Sequence, residues 1–391
     1  MRTPDSPSPR SKAENAGPLR SGERRPPAKI SGRPFAQFQL RQLFLLALLA
    51  GPVAGAEPYL LNQAELAALS AVAPSALRSP IATVIDKAQP SPSGEARDYV
   101  SYARYYWPDP AHPNGVPFVR RDGQHNREQV EKGDRERLGD FFATVEKLAA
   151  AWQVNRDEAA ARRAGEWLRA WFVSPATRLN PHLKFAQVRI GHNQNLGTAA
   201  GVLDGRGFAR VIDALRLLED SPAFAPGEEK EIRAWFGAYF EWLTTAKNAR
   251  AERAAKNNHG TWYLAQAIPI ARYLAHDNLA RELCESAKER IGYQIQPDGS
   301  QPSEISRADG LSYSAFNIEA HVQVARLAAG LGLDLWNYTA PNGGSLRGAI
   351  EFLRPYNDRP ESWPTAQNAR LQRGFLDQTL LQGQAVWGES K

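Results

Sequence analysis

The sequence predicts an all-α fold, and three observations predict it. Apolar residues recur at helical spacing from about Arg135 onward, the helical runs come in pairs joined by short turns, and no comparable run alternates as a strand would. The first pair is Leu138 to Trp152 and Glu158 to Phe172, with Asn155 to Asp157 supplying the turn and cap. Phe208 to Leu218 and Gly227 to Thr245 follow. The paired plan returns in Thr261 to Leu274 and Leu279 to Ile291, separated by Ala275-His276-Asp277-Asn278. Ser312 to Gly330, Ser345 to Phe352 and Leu376 to Val386 complete the set. Helix pairs without a strict sequence period stack into a toroid or an open solenoid. Either arrangement gathers loops at one mouth, where a long chain can lie. Asp98 to Asn126, Ser174 to Gly207 and Gln294 to Gly310 are too long and too rich in polar and aromatic residues to be mere connectors.

The N-terminal segment has a different character. Arg41 precedes the apolar run Leu43 to Ala50, and Val53-Ala54-Gly55-Ala56 offers the small residues a signal peptidase needs. The run is too short for a bilayer span, which takes about 20 residues. Residues 41–56 are therefore read as a signal segment and 1–40 as a disordered or over-extended leader. Residues 57–391 are expected to form one domain, exported and most simply periplasmic. The chain carries 48 Lys or Arg against 42 Asp or Glu; the first 56 residues hold nine and three of these, so the remainder has 39 of each. That balance removes the nucleic-acid reading a basic isoelectric point would invite. A polyanion must be met by a local groove of cations. Cys284 is the only cysteine, expected as a buried thiol, and oligomeric state is not legible.

Chemistry concentrates in Asn257-Asn258-His259-Gly260-Thr261-Trp262-Tyr263, followed by Arg307 and Tyr313. If the seven residues open a helix, Asn258 lies beside Trp262 and His259 beside Tyr263, one face carrying a base and two aromatic platforms. An amide and a guanidinium can neutralise a carboxylate while His or Tyr takes the adjacent proton. Uronic acid polymers suit that grouping. Asn258 is assigned to the substrate carboxylate and Asn257 to capping or support. Arg307 and Tyr313, six positions apart, are expected on a loop end and a helix start facing one cleft. Base action by Tyr313 would require its cationic neighbours to lower its pKa.

Four motifs in order carry a family resemblance: DYVSYARYYWPDP from Asp98, LNPHLKFAQ from Leu179, NNHGTWY from Asn257, and DGSQPSEISRADGLSYSAFNIEA from Asp298. Together they resemble the alginate lyase superfamily of polysaccharide lyases over residues 80 to 370. The resemblance implies an incomplete α/α toroid and β-elimination on a polyuronate such as alginate or glucuronan, without a cofactor or metal. It also implies roles. His259 accepts the C5 proton or stabilises the ionised intermediate, Arg307 holds the carboxylate, and Tyr313 protonates the departing glycosidic oxygen or acts as both base and acid.

Tyr105 and Trp107, in one aromatic cluster with Tyr106, are candidates for stacking on sugar rings. Arg120 and Arg121 suit carboxylates at neighbouring subsites. Asn180, Gln187, Arg189, His192 and Asn195 suit hydroxyls and carboxylates, and Gln301 joins them. Two departures from the family pattern touch the substrate: Leu264 follows Tyr263 where an acidic residue is usual, and Gly191 to Gly197 replaces a Gly-Arg-rich stretch. Two other classes compete. A glycoside hydrolase would need a carboxylate pair, for which Asp204, Asp298, Glu304 and Asp309 are available. A non-catalytic polyuronate-binding protein would keep the groove without turnover.

Overall fold

The computed structural model describes residues 57–365, 367 and 371–388. The expected leader and signal segment lie outside the described residues. Among those described, no helix is long and apolar enough to cross a membrane. The chain is 58% helix and 4% strand, which settles the class as mainly helical.

Eleven of the helices matter here: α1 (Gln63–Ala71), α2 (Arg135–Asn155), α3 (Glu158–Leu168), α4 (Phe208–Leu217), α5 (Glu228–Thr245), α6 (Lys247–Arg253), α7 (Asn258–Tyr273), α8 (Asp277–Gln294), α9 (Gly310–Ala329), α10 (Leu346–Asn357) and α11 (Asp377–Trp387). The expected hairpins are present. Arg156 ends α2 in the left-handed conformation, and the Asp157 carboxylate then caps α3 by accepting from Ala160 N at 3.0 Å. Two helices lacked a clear periodic signal: α1, opened by a capping box of Asn62 and Glu65, and the short α6.

Helix α2 packs on α1, α3 and α4; α4 packs on α7, and α7 on α8 and α9. Helix α7 is buried almost all round, which is why its sequence shows little amphipathic contrast. An aromatic block anchors α2, α4 and α5. Phe141 stacks on Trp171 at 4.7 Å, and Phe172, Phe208, Trp235, Phe236 and Tyr239 continue the contact. Each such ring contributes about 1.5–3 kcal/mol when fully buried. Cys284 is buried, and that burial pushes its thiol up to about 12.

The long loops carry what little strand there is. Strand β1 (Val100–Tyr102) pairs in parallel with β4 (Phe185–Val188), and β2 (Tyr106–Trp107) pairs antiparallel with β3 (Val119–Arg120). The parallel pairing ties the Asp98 to Asn126 loop to the Ser174 to Gly207 loop. These pairs are too short to produce an alternating sequence signal.

Candidate active site

Helix α7 opens at Asn258, as the motif predicts. Asn257 is its N-cap, its side chain accepting from His259 N at 3.3 Å while its carbonyl accepts from Gln294 Nε2 at 3.0 Å. Gly260 is required by close approach, because a Cβ there would meet the Ala255 carbonyl and the Arg290 guanidinium. The same Arg290 donates to Ala255 O at 2.9 Å, fixing the turn before the helix.

His259 keeps 19% of its side chain accessible. Its Nδ1 lies 2.6 Å from Oε1 of Glu252, on the preceding helix α6, and its Nε2 makes no hydrogen bond among the described residues. Burial raises the pKa of Glu252, partly offset by the imidazole. An ionised carboxylate can only accept, so it fixes the proton on Nδ1 and leaves the Nε2 lone pair free.

Asn258 is placed differently from the sequence expectation. It is fully buried at 0% exposure, with its backbone N and its Nδ2 both 2.7 Å from the two carboxylate oxygens of Glu304. Its amide serves as a joint, and no part of it is accessible to a substrate carboxylate. The two rings expected as platforms are also internal. Tyr263 donates to Leu243 O at 3.0 Å, with burial pushing its phenol up to about 12, and Trp262 packs 4.7 Å from Phe316 with Arg206 over its ring. A helix enclosed almost all round presents no platform stripe. Gln301 is buried likewise, bonded to Asn317 and Ser314 O.

Glu304 joins the two halves of the motif. It lies in the short helix Pro302–Ile305, and its carbonyl accepts from Arg307 N at 3.1 Å. Arg307 then donates from Nη2 to the Tyr313 hydroxyl at 3.0 Å, its guanidinium 4.0 Å above that ring. Asp122 grips the same guanidinium from the opposite loop, accepting from Nη2 at 3.0 Å and from Nε at 3.4 Å, and it also pairs with Arg120 at 2.7 Å. The Tyr105 and Tyr313 hydroxyls are 2.7 Å apart. Burial pushes the Tyr313 phenol well above the ordinary tyrosine range, the bond to Tyr105 adds to that, and Arg307 only partly opposes it. The lowering that base action would require is thus not seen, and the shift favours the protonated phenol.

The remaining candidates divide. Gln187, with a positive φ of 52°, donates to Asp204 at 3.1 Å, which ties it to the buried cluster of Tyr99, Ser101 and Arg135. Arg189 covers Tyr106 at 4.9 Å, and Arg121 lies over Trp107, whose indole donates to Gln124 O. His192 bonds Phe118 O, Asn195 accepts from Gly191 N, and Asn180 donates to Asp98 at 2.7 Å. These last three hold loops. Asn180 also borders a cavity of about 260 Å³ lined by Phe172, Trp235 and Glu231, apart from the His259 cluster.

The Alginate lyase family matches residues 83–363 of this sequence. This chain belongs to the alginate lyase family. It is a polysaccharide lyase. An alginate lyase structure from Bacteroides ovatus is 36% identical, with 81% of this chain and 83% of that one covered and a TM-score of 0.75. The alginate lyase A1-III of Sphingomonas species A1 is 15% identical over 86% of this lyase and 91% of its own chain, with a TM-score of 0.52. A substituted form of A1-III in complex with a tetrasaccharide matches at 16% identity over 85% and 88%, with a TM-score of 0.51. At those identities the A1-III likenesses show the fold alone. No curated protein matches the chain.

Sequence reasoning missed Glu252, Asp122 and the supporting place of Glu304. Each reaches its partner across a helix boundary or from a distant loop, so no spacing rule connects them. Only Glu304 had drawn notice, as a candidate hydrolase carboxylate.

Proposed function

We propose that this lyase cleaves a 1,4-linked polyuronate, alginate or glucuronan, by β-elimination, leaving a 4,5-unsaturated uronate at the new non-reducing end. The observation that carries this reading is the Glu252-oriented imidazole, whose chain neighbour Asn258 holds the Glu304 turn that leads into the Arg307–Tyr313 pair. His259 Nε2 takes the C5 proton. The C5–H electron pair moves into the carboxylate-stabilised anion and then forms the C4=C5 bond as the C4–O4 bond breaks. The Tyr313 proton passes to O4, consistent with a phenol that burial keeps neutral. Cationic neighbours offset the charge that develops on the carboxylate.

The cleft has the charge a polyuronate needs. Arg120, Arg121, Arg135, Arg189 and Arg307 lie on the long loops and helix starts, while Asp122 and Asp204 are engaged by guanidiniums of that set. The hydrolase alternative fares worse. Glu304 is buried behind Asn258, Asp204 accepts from four side chains, and Asp298 is consumed in the Ser300 turn, so no opposed carboxylate pair remains among these.

Two further parts belong to this reading. The packing order α2, α4, α7, α9, with α3, α8 and α10 packed on members of that row, supports an incomplete α/α toroid over residues 57–391. The apolar run and small-residue site before Glu57 support export, most simply to a periplasm. The test is ultraviolet absorbance of the protein with polymannuronate, polyguluronate, glucuronan and polygalacturonate. Rising absorbance that His259→Ala and Tyr313→Phe abolish establishes elimination and names the substrate. New reducing ends without absorbance would move the claim to hydrolysis, and binding without cleavage to a carrier.

A further inference from the structure

Helix α6 stands beside the base and carries charge that the elimination scheme does not use. The stretch Lys247 to Lys256 holds four cations, Lys247, Arg250, Arg253 and Lys256, and a single acid, Glu252. The chain after residue 56 has 39 side chains of each sign, so this excess is local. Glu252 is spent on His259 Nδ1 from the buried side of the helix. The four cations are exposed. None of their side chains forms a hydrogen bond or an ion pair with a described residue, and Lys256 lies 4.4 Å over the Tyr293 ring.

Packing fixes where this row lies. Helix α6 packs on α5, on α7 and on Ala199–Gly207, the end of the long Ser174 to Gly207 loop. Ala249 and Glu252 form its inward side. Lys247, Arg250 and Arg253 recur every three residues, which puts neighbouring Cβ atoms about 5–6 Å apart. Arg253 directly follows Glu252, its carbonyl accepting from Arg290, and Lys256 precedes His259 by three residues. Lys247 is five residues before Glu252, about 7.5 Å along the axis. The row therefore flanks the base from the start of α6 to the opening of α7. The helix dipole suits Arg250 and Arg253 in the last turn but disfavours Lys247 in the first, and like charges one turn apart repel. An uncompensated row of one sign concentrates a polyanion. A polyuronate brings a carboxylate on every sugar, whereas His259 acts on one.

We propose that Lys247, Arg250, Arg253 and Lys256 bind the part of the polyuronate chain that extends beyond the sugars held at His259. This rests on the polyuronate reading given above. The row takes no part in bond breaking; it pairs with carboxylates farther along the same chain. Exposed pairs are screened by salt, so the row acts on association and KM, and more strongly on long chains than on short ones.

The experiment compares the wild type with the triple variant Lys247→Gln/Arg250→Gln/Arg253→Gln in the full chain. A control, Arg162→Gln/Lys230→Gln/Arg281→Gln, removes the same charge from exposed positions on α3, α5 and α8. Initial rates by ultraviolet absorbance are taken on alginate or glucuronan, whichever the wild type cleaves faster, and on a tetrasaccharide of that polymer. Each exposed ion pair contributes about 1.4- to 5-fold, so the triple variant should raise the polymer KM by about threefold or more at low salt. The tetrasaccharide KM should rise less, and the difference on polymer should shrink at about 0.5 M NaCl. A polymer KM changed by less than threefold overturns the assignment, as does an equal rise on the tetrasaccharide or in the control. Melting temperatures report folding; if the triple variant does not fold, Arg250→Gln alone should flatten the salt dependence of the polymer KM, and an unaltered dependence refutes the row. Polymer binding measured in a Tyr313→Phe background separates this claim from the chemistry. A wild type that forms no unsaturated product overturns elimination, whereas binding that the triple substitution leaves unchanged overturns the row.

Discussion

Replacing Glu252 with Gln tests how the base is prepared. The Glu252 side chain is nearly inaccessible and meets His259 Nδ1 at 2.6 Å. Gln keeps the shape, removes the charge, and can turn an N–H toward Nδ1. That would favour the tautomer with its proton on Nε2, the atom that must receive the C5 proton. A positioned base contributes about 10²–10⁴ to rate, so kcat should fall by about that factor, or about 3–5 kcal/mol in barrier, with KM little changed. Stability should move the other way. Burial raises the folded pKa of Glu252, so its contribution is fully present below the unfolded value of about 4.3 and is lost as pH rises through the folded value. At neutral pH the ionised group is a net cost that Gln removes. The variant should melt at or above the wild-type temperature at pH 7, with the difference closing below pH about 4. The assay is initial-rate ultraviolet absorbance beside thermal melts at both pH values. A kcat within threefold of wild type refutes the dyad, and a kcat loss accompanied by a collapsed melting temperature assigns Glu252 to packing instead.

Other outcomes follow from the same geometry. Tyr313→Phe should lower kcat by about 10²–10⁴ in the same assay; because burial holds the wild-type phenol well above its ordinary range, wild-type activity should show no alkaline fall at pH 10 arising from this group. Asp204→Asn leaves Arg135 buried without its carboxylate and should cost about 3–5 kcal/mol in denaturant melts at pH 7. Burial acts to raise the Asp204 pKa, but Arg135 and the hydroxyl and amide donors hold it below the usual value. Its stabilisation is therefore present above the unfolded value of about 3.9 and fades as pH falls through the folded one, so the gap between wild type and variant should narrow at pH 3. Gly260→Ala forces a methyl against the Ala255 carbonyl and Arg290, and should destabilise by about 1–3 kcal/mol in the same melts.

Much of this protein follows from local sequence. Helices α2 to α5 and α7 to α11 lie where periodicity places them, because an apolar stripe every three to four residues can be buried in few other ways. The opening of α7 at Asn258 was equally legible, since Asn257 is a cap with a donor two residues on. His259, Arg307 and Tyr313 were identifiable by residue type and order; in the structure Arg307 bonds the Tyr313 hydroxyl, and His259, bonded to Glu252, is the chain neighbour of the Asn258 that holds Glu304.

Exposure and partnership were decided by the tertiary structure. Asn258 and Tyr263 have side-chain types suited to a substrate, yet α7 is enclosed by α4, α8 and α9, which turns one amide toward Glu304 and one phenol toward Leu243 O. Residue type sets what a group can bond; packing sets which bond it makes. The same holds for charge. An arginine near a tyrosine suggests a lowered phenol pKa, but desolvation of Tyr313 and its bond to Tyr105 outweigh Arg307. Glu252 and Asp122 gained their significance only when α6 and the Asp98 to Asn126 loop were folded against α7 and the Arg307 turn. Contacts between segments as far apart as 185 positions, as from Asp122 to Arg307, leave no period in the sequence, because they depend on where whole helices come to rest.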